Sequence, residues 1–308
     1  MWLRSVAFRI FHACLVLAAA PGIVPLCPAQ TSANKPVNKP PTPLAARPLN
    51  LPGEISDERM ESYLDENAER LLKSGQTVKM ADLLRQLHRR SVTLQLPKPA
   101  TSPVSTVELA ARARAGVLVI GDLYKCKKCP RWHVGVSSGF VLSTNGVCAT
   151  CYHVVNVPDS PTLVAMTGDG RVVPVREVLA ANPHTDVALL RLDGTGYVPL
   201  PLDTEAPVGA DVRVLSHPDD HFFTFSQGII SRYVSVPLEK RAGEVTMMAI
   251  TADFGAGSSG APAFNAVGGV IGMVNNTQSL YYDPKRGRDL QMVFKHCLPS
   301  QYIRELIH

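Results

Sequence analysis

Ten short runs of β-branched and apolar residues follow one another from Gly116 onward, and they restrict the fold more than any other feature. Glycine, proline, asparagine and aspartate separate the runs, as they do between antiparallel strands in a barrel or a sandwich. The runs cover residues 117–120, 139–143, 147–155, 162–166, 172–175, 187–192, 212–215, 228–236, 246–250 and 270–274. The sequence therefore predicts an all-β fold for this part of the chain.

Three motifs inside the β-rich part contain the residue types of a nucleophilic hydrolase. The first is a strand pair that ends in Thr-Cys-Tyr-His153-Val-Val, the second begins Asp186-Val-Ala-Leu-Leu, and the third reads Gly-Ser-Ser259-Gly-Ala-Pro. A serine hydroxyl needs an adjacent base near neutral pH, and the pKa of histidine suits that task. An aspartate can accept the other imidazole proton and fix the tautomer. We predict a triad of His153, Asp186 and Ser259.

The motifs, in this order, resemble those of the trypsin-like serine peptidases, and especially the bacterial high-temperature-requirement (Deg) branch. The likeness extends to residues 212–231 and 270–272 and covers about two thirds of the chain. It implies two packed antiparallel six-stranded β-barrels with a C-terminal helix. It also implies a serine endopeptidase that cleaves protein or peptide substrates through an acyl-enzyme and needs no cofactor. No PDZ domain is expected.

Glycines beside the nucleophile are expected to shape an oxyanion hole. Gly257 can turn its N–H toward the point that the Ser259 N–H faces, and two such donors stabilise the tetrahedral intermediate. Gly260 is expected to leave room for substrate. Position 258 is serine, whereas digestive enzymes of the family have the aspartate of the zymogen switch there, so that switch is not expected.

Asp253 is a candidate for the specificity pocket. It stands six residues before Ser259, the offset at which trypsin places the acid at the base of its pocket. A buried carboxylate there would favour arginine or lysine at the cleavage site. Gly255 replaces the family cysteine of the pocket wall, so a loop aspartate without this role is the alternative.

Four cysteines form two Cys-x-x-Cys pairs at the spacing of a zinc ribbon. Cys148 and Cys151 stand three apart on one strand, so they face opposite sides about 10 Å apart and are poorly placed to share a metal. We predict a disulfide at the active-site rim, Cys126 with Cys129 or one of them with Cys151. Zinc held by Cys126, Cys129, His133 and Cys151 is the alternative.

A two-residue turn at Asn145-Gly146 would set the register of the strand pair before His153. It would place Cys151 opposite Phe140 and His153 opposite Ser138. The other histidines that lie outside the three motifs are expected to be structural or surface residues. They are His133, His184, His217 and His221.

The first 29 residues predict a cleaved export signal, because two arginines precede an apolar run and small residues flank the expected cleavage point. A membrane anchor is the alternative, but prolines interrupt the run short of a spanning length. Cleavage removes two arginines and no acid, which lowers the formal net charge from +5 to +3. Without a dense basic stripe, this excess does not predict nucleic acid binding. The mature protein is expected to be periplasmic or secreted, without a membrane span.

The remaining organisation follows from composition and periodicity. Residues 30–54 are proline-rich and predict a disordered linker, and residues 55–105 predict a helical arm with two amphipathic helices. Ser105 and Glu108 form a capping-box pattern for a helix from Thr106, and residues 299–307 predict a terminal helix. The protease domain is assigned to residues 106–308. Rival functions are an inactive protease-like peptide-binding module and an interaction protein that uses the helical arm.

Overall fold

The computed structural model describes residues 51, 53–127, 129–238 and 243–308. The predicted signal peptide and most of the proline-rich linker lie outside these residues, and both remain predictions. Among the residues described, no helix is long and apolar enough to cross a membrane.

The described chain contains a helical segment, two groups of strands and a short final helix. The helices are α1 (Asp57–Lys73), α2 (Met80–Leu84), α3 (Thr106–Gly116), α4 (Tyr152–Val155) and α5 (Gln301–Arg304). The first six strands are β1 (Val117–Lys125), β2 (Trp132–Val141), β3 (Val147–Cys151), β4 (Leu163–Thr167), β5 (Val172–Asn182) and β6 (Val187–Leu192). The others are β7 (Asp211–Ser216), β8 (Thr224–Pro237), β9 (Glu244–Ile250), β10 (Pro262–Phe264), β11 (Val270–Asp283) and β12 (Arg288–Pro299).

The described strands close into two antiparallel barrels of six strands each, which confirms the predicted fold class. The first barrel has the order β1-β2-β3-β6-β5-β4, and the second has β10-β11-β12-β9-β8-β7. Closure leaves neither sheet with an unpaired edge. Because both ends of each connecting loop are attached to paired strands, the barrels form a rigid scaffold that positions the side chains of these loops.

Two strands of the second barrel have no counterpart among the predicted runs. Strand β10 has only three residues and begins with Pro262, and the outer half of β12 is polar and exposed, as in Arg288-Asp-Leu-Gln. Neither shows the alternation of a half-buried strand, because β10 is fully buried and β12 extends with β11 as an exposed hairpin beyond the barrel. Periodicity therefore missed both.

The register between β2 and β3 corrects one prediction. Val141 lies opposite Cys148, and the Leu142 N–H donates to the Val147 carbonyl, so the turn has four residues, 143–146, rather than two. The pairing is shifted by two residues from the prediction. Because side chains alternate with period two, the shift leaves every side chain on its predicted face.

The helical segment before the barrels packs against the first barrel. Leu64 and Ala68 on α1, and Met80 and Leu83 on α2, are buried with the core of the first barrel. The Arg89 guanidinium adds hydrogen bonds to the Glu177 carboxylate at 2.6 Å and to the Val178 carbonyl at 2.9 Å. The apolar faces of both helices thus extend the barrel core.

The two other predicted helices are present, one of them shortened. Ser105 caps α3, since its hydroxyl accepts a hydrogen bond from the Glu108 N–H at 3.1 Å, as the capping pattern predicts. The terminal helix α5 is only one turn long. It ends early because Ile307 leaves it to form a β-bridge with Val92.

A buried histidine joins the barrels. His217 follows β7, and its Nε2 lies 3.2 Å from the Leu118 carbonyl oxygen on β1. Its Nδ1 accepts a hydrogen bond from the Phe223 N–H at 3.0 Å. This arrangement requires a neutral ring with its proton on Nε2, and burial lowers the pKa of His217 from 6.5 to about 3. His217 is structural, as the sequence predicted.

This buried ring makes stability depend on pH. The unfolded chain takes up a proton near pH 6.5, whereas the folded chain does not until about pH 3, so stability falls as the pH drops below 6.5. Between pH 7.5 and 5.0, the wild type is expected to lose about 2 kcal/mol more unfolding free energy than His217→Asn, which cannot titrate. Denaturant unfolding at both pH values measures this difference. Equal losses in the two proteins would contradict the prediction.

Candidate active site

The pairing of β3 with β6 brings His153 and Asp186 together. Cys151 lies opposite Val187, so the residues just after β3 and just before β6 are neighbours. Helix α4 turns the chain at this point, and the His153 Nδ1 lies 2.7 Å from the Asp186 Oδ2. The His153 backbone N–H also donates to the Asp186 Oδ1 at 2.9 Å. Both carboxylate oxygens thus hold one histidine and leave its Nε2 for other partners.

The backbone at Asp186 is unusual. Its φ is 51°, in the left-handed region that aspartate and asparagine tolerate better than most residues. Its carbonyl accepts a hydrogen bond from the Tyr152 N–H at 3.0 Å, which closes the junction between α4 and β6. The His153 side chain is 51% exposed, so the pair is open to water on one side, although the strand after Asp186 is buried.

Asn275 on β11 links the acid to the predicted nucleophile. Its Nδ2 donates to the Asp186 Oδ2 at 2.6 Å, and its backbone carbonyl accepts a hydrogen bond from the Ser259 Oγ at 3.2 Å. The residue is buried, so these contacts are shielded from water. The sequence analysis missed Asn275. The signal that could have found it is an amide directly after the buried apolar run 270–274.

The structure does not complete the triad relay. The Ser259 hydroxyl bonds to Asn275, and within the described chain no hydrogen bond joins it to His153. The three predicted residues therefore belong to one hydrogen-bonded group in which Asn275 stands between the acid and the serine.

The loop before β10 requires a glycine at position 257. Gly257 has a φ of 84°, and a Cβ there would lie 2.4 Å from the His217 carbonyl oxygen, so only glycine fits. Ser258 turns inward, with its Oγ 3.0 Å from the Ser216 Oγ. The backbone N–H groups of Gly257 and Ser259 donate to no residue that the structure describes. Both amides are thus available to an anionic oxygen.

Gly260 has a different role from the one predicted. Its φ is 91°, and a Cβ would lie 2.1 Å from the Ser138 carbonyl oxygen and 2.4 Å from the Thr150 Oγ1. Next to it, the Ser138 N–H donates to the Ser259 carbonyl at 2.9 Å. Gly260 therefore leaves room for the first barrel and not for substrate.

Asp253 does not have the buried carboxylate that a basic specificity pocket requires. Its side chain is 91% exposed and lies 3.6 Å from the Lys295 ammonium. A neighbouring cation would also compete with a basic substrate side chain for this carboxylate. The arrangement agrees with the alternative of a loop aspartate.

The predicted disulfide is not formed. Cys129 and Cys151 both have free thiols, which rules out each of the pairings considered. Cys151 is fully buried, and its thiol donates to the Val274 carbonyl of the second barrel at 3.3 Å. Burial raises the pKa of Cys151 well above its usual range and that of Cys148 to about 12. Both are protonated thiols inside the protein.

Three of the four candidate zinc ligands lie close together, and the fourth does not. Cys126, Cys129 and His133 have donor atoms within 4.8 Å of one another, but Cys151 is not part of this group. Cys151 instead lies beside His153 and Asp186, with donor atoms also within 4.8 Å of theirs. The three-residue group is at the tip of the β1–β2 hairpin, apart from the His153–Asp186 pair.

Comparison with known proteins agrees with this geometry. Residues 137–273 match the trypsin-like peptidase domain family. Probable periplasmic serine endoproteases described as DegP-like are similar: that of Ectopseudomonas mendocina is 30% identical over 45% of this chain, and that of Halomonas elongata 34% over 45%. A protease from M. tuberculosis, solved in its active form, is 25% identical, with a TM-score of 0.52 over 71% of this chain and 92% of its own.

The chain spans only 28% of the length of these two DegP-like relatives. The residues that match the peptidase domain family include His153, Asp186 and Ser259. The twin barrels, the matched domain and the named relatives agree with one another. The chain therefore contains a trypsin-like peptidase domain, and it is similar to the DegP-like serine endoproteases.

Proposed function

We propose that this protein is a serine endopeptidase that uses His153 as general base, Asp186 as its orienting acid and Ser259 as nucleophile. The observation that supports this most is the double hydrogen bond between His153 and Asp186, tied through Asn275 to Ser259. Exposed His221 also has a carboxylate on its Nδ1, that of Asp57, so this contact alone does not indicate catalysis. The feature that distinguishes His153 is the buried Asn275 amide behind its carboxylate, which connects the pair to Ser259.

In the proposed reaction, the Ser259 hydroxyl first leaves the Asn275 carbonyl and turns to the His153 Nε2. The oxygen then attacks the scissile carbonyl carbon while Nε2 takes the proton, and the new oxyanion is stabilised by the Gly257 and Ser259 N–H groups. His153 returns the proton to the leaving amine, which gives the acyl-enzyme. Water, deprotonated by the same nitrogen, releases the acid and restores Ser259.

The relatives support protein substrates and export from the cytoplasm. The DegP-like proteins are named as periplasmic endoproteases, and we extend both properties to this chain as part of the proposal. The first 29 residues would then be a signal peptide, and residues 30–54 a linker before the folded part. Cleavage-site preference is left to substrate profiling, because Asp253 does not form a basic pocket.

One observation favours a second function, a peptide-binding module without catalysis. Ser259 donates its hydroxyl proton to Asn275 rather than to His153, and a hydroxyl held in this way is not activated. If this hydrogen bond persisted with substrate bound, the cleft could hold a peptide without cleaving it. A reagent that reacts only with activated serines separates the two functions.

A fluorophosphonate probe provides this test. We expect covalent labelling of the wild type and none of Ser259→Ala, because only a serine with an adjacent base attacks phosphorus at a useful rate. Intact-mass spectrometry counts the adducts, and peptide mapping locates them.

The matched control is Ser235→Ala, which removes an exposed serine on β8, and it should label like the wild type. Folded wild-type protein that stays unlabelled would reject the peptidase and favour the binding module. Labelling of Ser259→Ala would show that another residue is the nucleophile.

A further inference from the structure

The tip of the β1–β2 hairpin gathers three soft donor groups outside the proposed triad. Cys126 and Cys129 lie between the strands, and His133 is the second residue of β2. All three donor atoms lie within 4.8 Å of one another, and the Cys129 Sγ is 3.1 Å from the His133 Nε2. We propose that Cys126, Cys129 and His133 form a zinc site.

The spacing of the donors fits a tetrahedral ion. Zinc binds thiolate at about 2.3 Å and imidazole at about 2.0 Å, so two sulfurs on one ion lie about 3.8 Å apart and a sulfur and a nitrogen about 3.6 Å apart. The Cys129 Sγ–His133 Nε2 separation is 3.1 Å and no pair of the three donor atoms is more than 4.8 Å apart, so side-chain shifts of about 1 Å would let the ligands close on an ion. Two thiolates would also neutralise the charge of Zn²⁺.

Asp65 provides the second, independent observation. Its carboxylate on α1 accepts hydrogen bonds from the His133 Nδ1 at 2.8 Å and from the Val134 N–H at 2.8 Å. A proton on Nδ1 leaves the Nε2 lone pair directed at the cysteines. Histidines that bind zinc usually have such a carboxylate partner, which fixes the tautomer and makes the ring a better ligand.

Asp65 is also almost fully buried, at 5% exposure, although it is an acid. A buried carboxylate is costly unless it is paired, and a metal-bound imidazole is a stronger donor than a free one. An ion at the hairpin tip would therefore also stabilise the contact between α1 and β2.

The same helix contains a matched pair without cysteines. Asp57 accepts a hydrogen bond from the Phe222 N–H at 3.0 Å and lies 3.1 Å from the His221 Nδ1, as Asp65 does with Val134 and His133. His221 belongs to no metal-ligand group among the described residues. The pair thus reproduces the acid–histidine contact without the sulfur ligands.

The fourth coordination position is supplied by no residue that the structure describes, so water or an added ligand would take it. A site with an open position binds an ion more weakly than a closed one but still selects zinc through its thiolates. The proposal does not depend on the triad, and it can fail or hold independently of the peptidase activity.

The test measures metal and thiols in full-length protein purified without chelator. Mass spectrometry of the metals should find one zinc ion per chain in the wild type and in His221→Ala, and a loss of at least nine tenths of it in Cys129→Ser. Asp65→Ala should bind zinc about 10 to 100-fold more weakly, because it removes the partner of the ligand histidine.

Cobalt keeps the test decisive if Cys129→Ser fails to fold. Co²⁺ added to the zinc-free wild type should give the thiolate charge-transfer and tetrahedral d–d absorption bands, and zinc should remove them. A Cys126–Cys129 disulfide in zinc-free native protein, a full zinc content in folded Cys129→Ser, or the absence of these bands would each overturn the proposal.

Discussion

Ser259→Ala and His153→Ala are each expected to lower kcat by roughly 10⁴ to 10⁶-fold, with KM little changed. The reason is that nucleophile and base act as one unit, so loss of either removes the covalent route. Asp186→Asn should cost about 10⁴-fold, because the amide favours the wrong imidazole tautomer. Hydrolysis of a quenched fluorescent protein substrate measures all three variants.

The double variant His153→Ala/Ser259→Ala tests whether the two residues act in the same catalytic step. It should be no slower than either single variant, since members of a triad are not additive. His88→Ala, an exposed histidine that contacts only the Arg85 carbonyl, should keep wild-type turnover. A Ser259→Ala protein within tenfold of wild-type activity would reject the proposed nucleophile.

Gly260→Ala should destabilise the folded protein by about 4 kcal/mol or more, the range of the most damaging single substitutions. Two costs combine in this variant. A Cβ at a φ of 91° strains the backbone, and it would lie 2.1 Å from the Ser138 carbonyl oxygen of the other barrel. Because the colliding atom is a backbone oxygen, the contact cannot be relieved by a side-chain rotation. Denaturant unfolding of both proteins measures the loss of unfolding free energy from the shift of the midpoint and the slope m.

Gly170→Ala separates the two costs. Its φ of 89° is almost the same, but a Cβ there would meet nothing within 4 Å. This variant should lose only about 1 to 2 kcal/mol, the strain of a left-handed L-residue. Equal losses in the two variants would show that the collision with Ser138 contributes nothing.

Sequence analysis could propose those residues of the candidate site that lie in short local motifs. The order of the three motifs predicted His153, Asp186 and Ser259, which the structure places in one hydrogen-bonded group, and a capping pattern located the start of α3. Each of these depends on neighbours in sequence. Asn275 could not be assigned in this way, because its contact with Asp186 joins positions 89 residues apart.

The cysteines show the same limit. Spacing grouped the two Cys-x-x-Cys pairs, but three-dimensional structure separates them, since Cys148 and Cys151 point into the interior. The carboxylate that contacts His133 of the first group belongs to Asp65, which stands 68 residues earlier on a helix of the predicted arm. Periodicity predicted α1 but could not show which surface its apolar face covers. The disulfide prediction failed because the spacing of the cysteines does not show where each thiol points: the Cys151 thiol is buried against Val274.

The error in the predicted β2–β3 register does not change which face of the strand each side chain occupies. The turn was predicted two residues too short, yet the faces of Cys148 and Cys151 came out correctly, because strand side chains repeat every second residue. A shift by one residue would have exchanged the inside and the outside of the strand. Face assignments are thus more robust than turn lengths.

The positive φ at Asp186 limits which residues can occupy this position. Glutamate would keep the negative charge, but it lacks the short side chain that makes a left-handed conformation tolerable, and its carboxylate would reach past the imidazole. Asparagine accepts the same backbone, but it loses the charge and replaces one acceptor oxygen with an NH₂ donor. Sequence drift at position 186 is therefore expected to pass through asparagine or glycine, so that relatives that have lost catalysis could retain the turn intact.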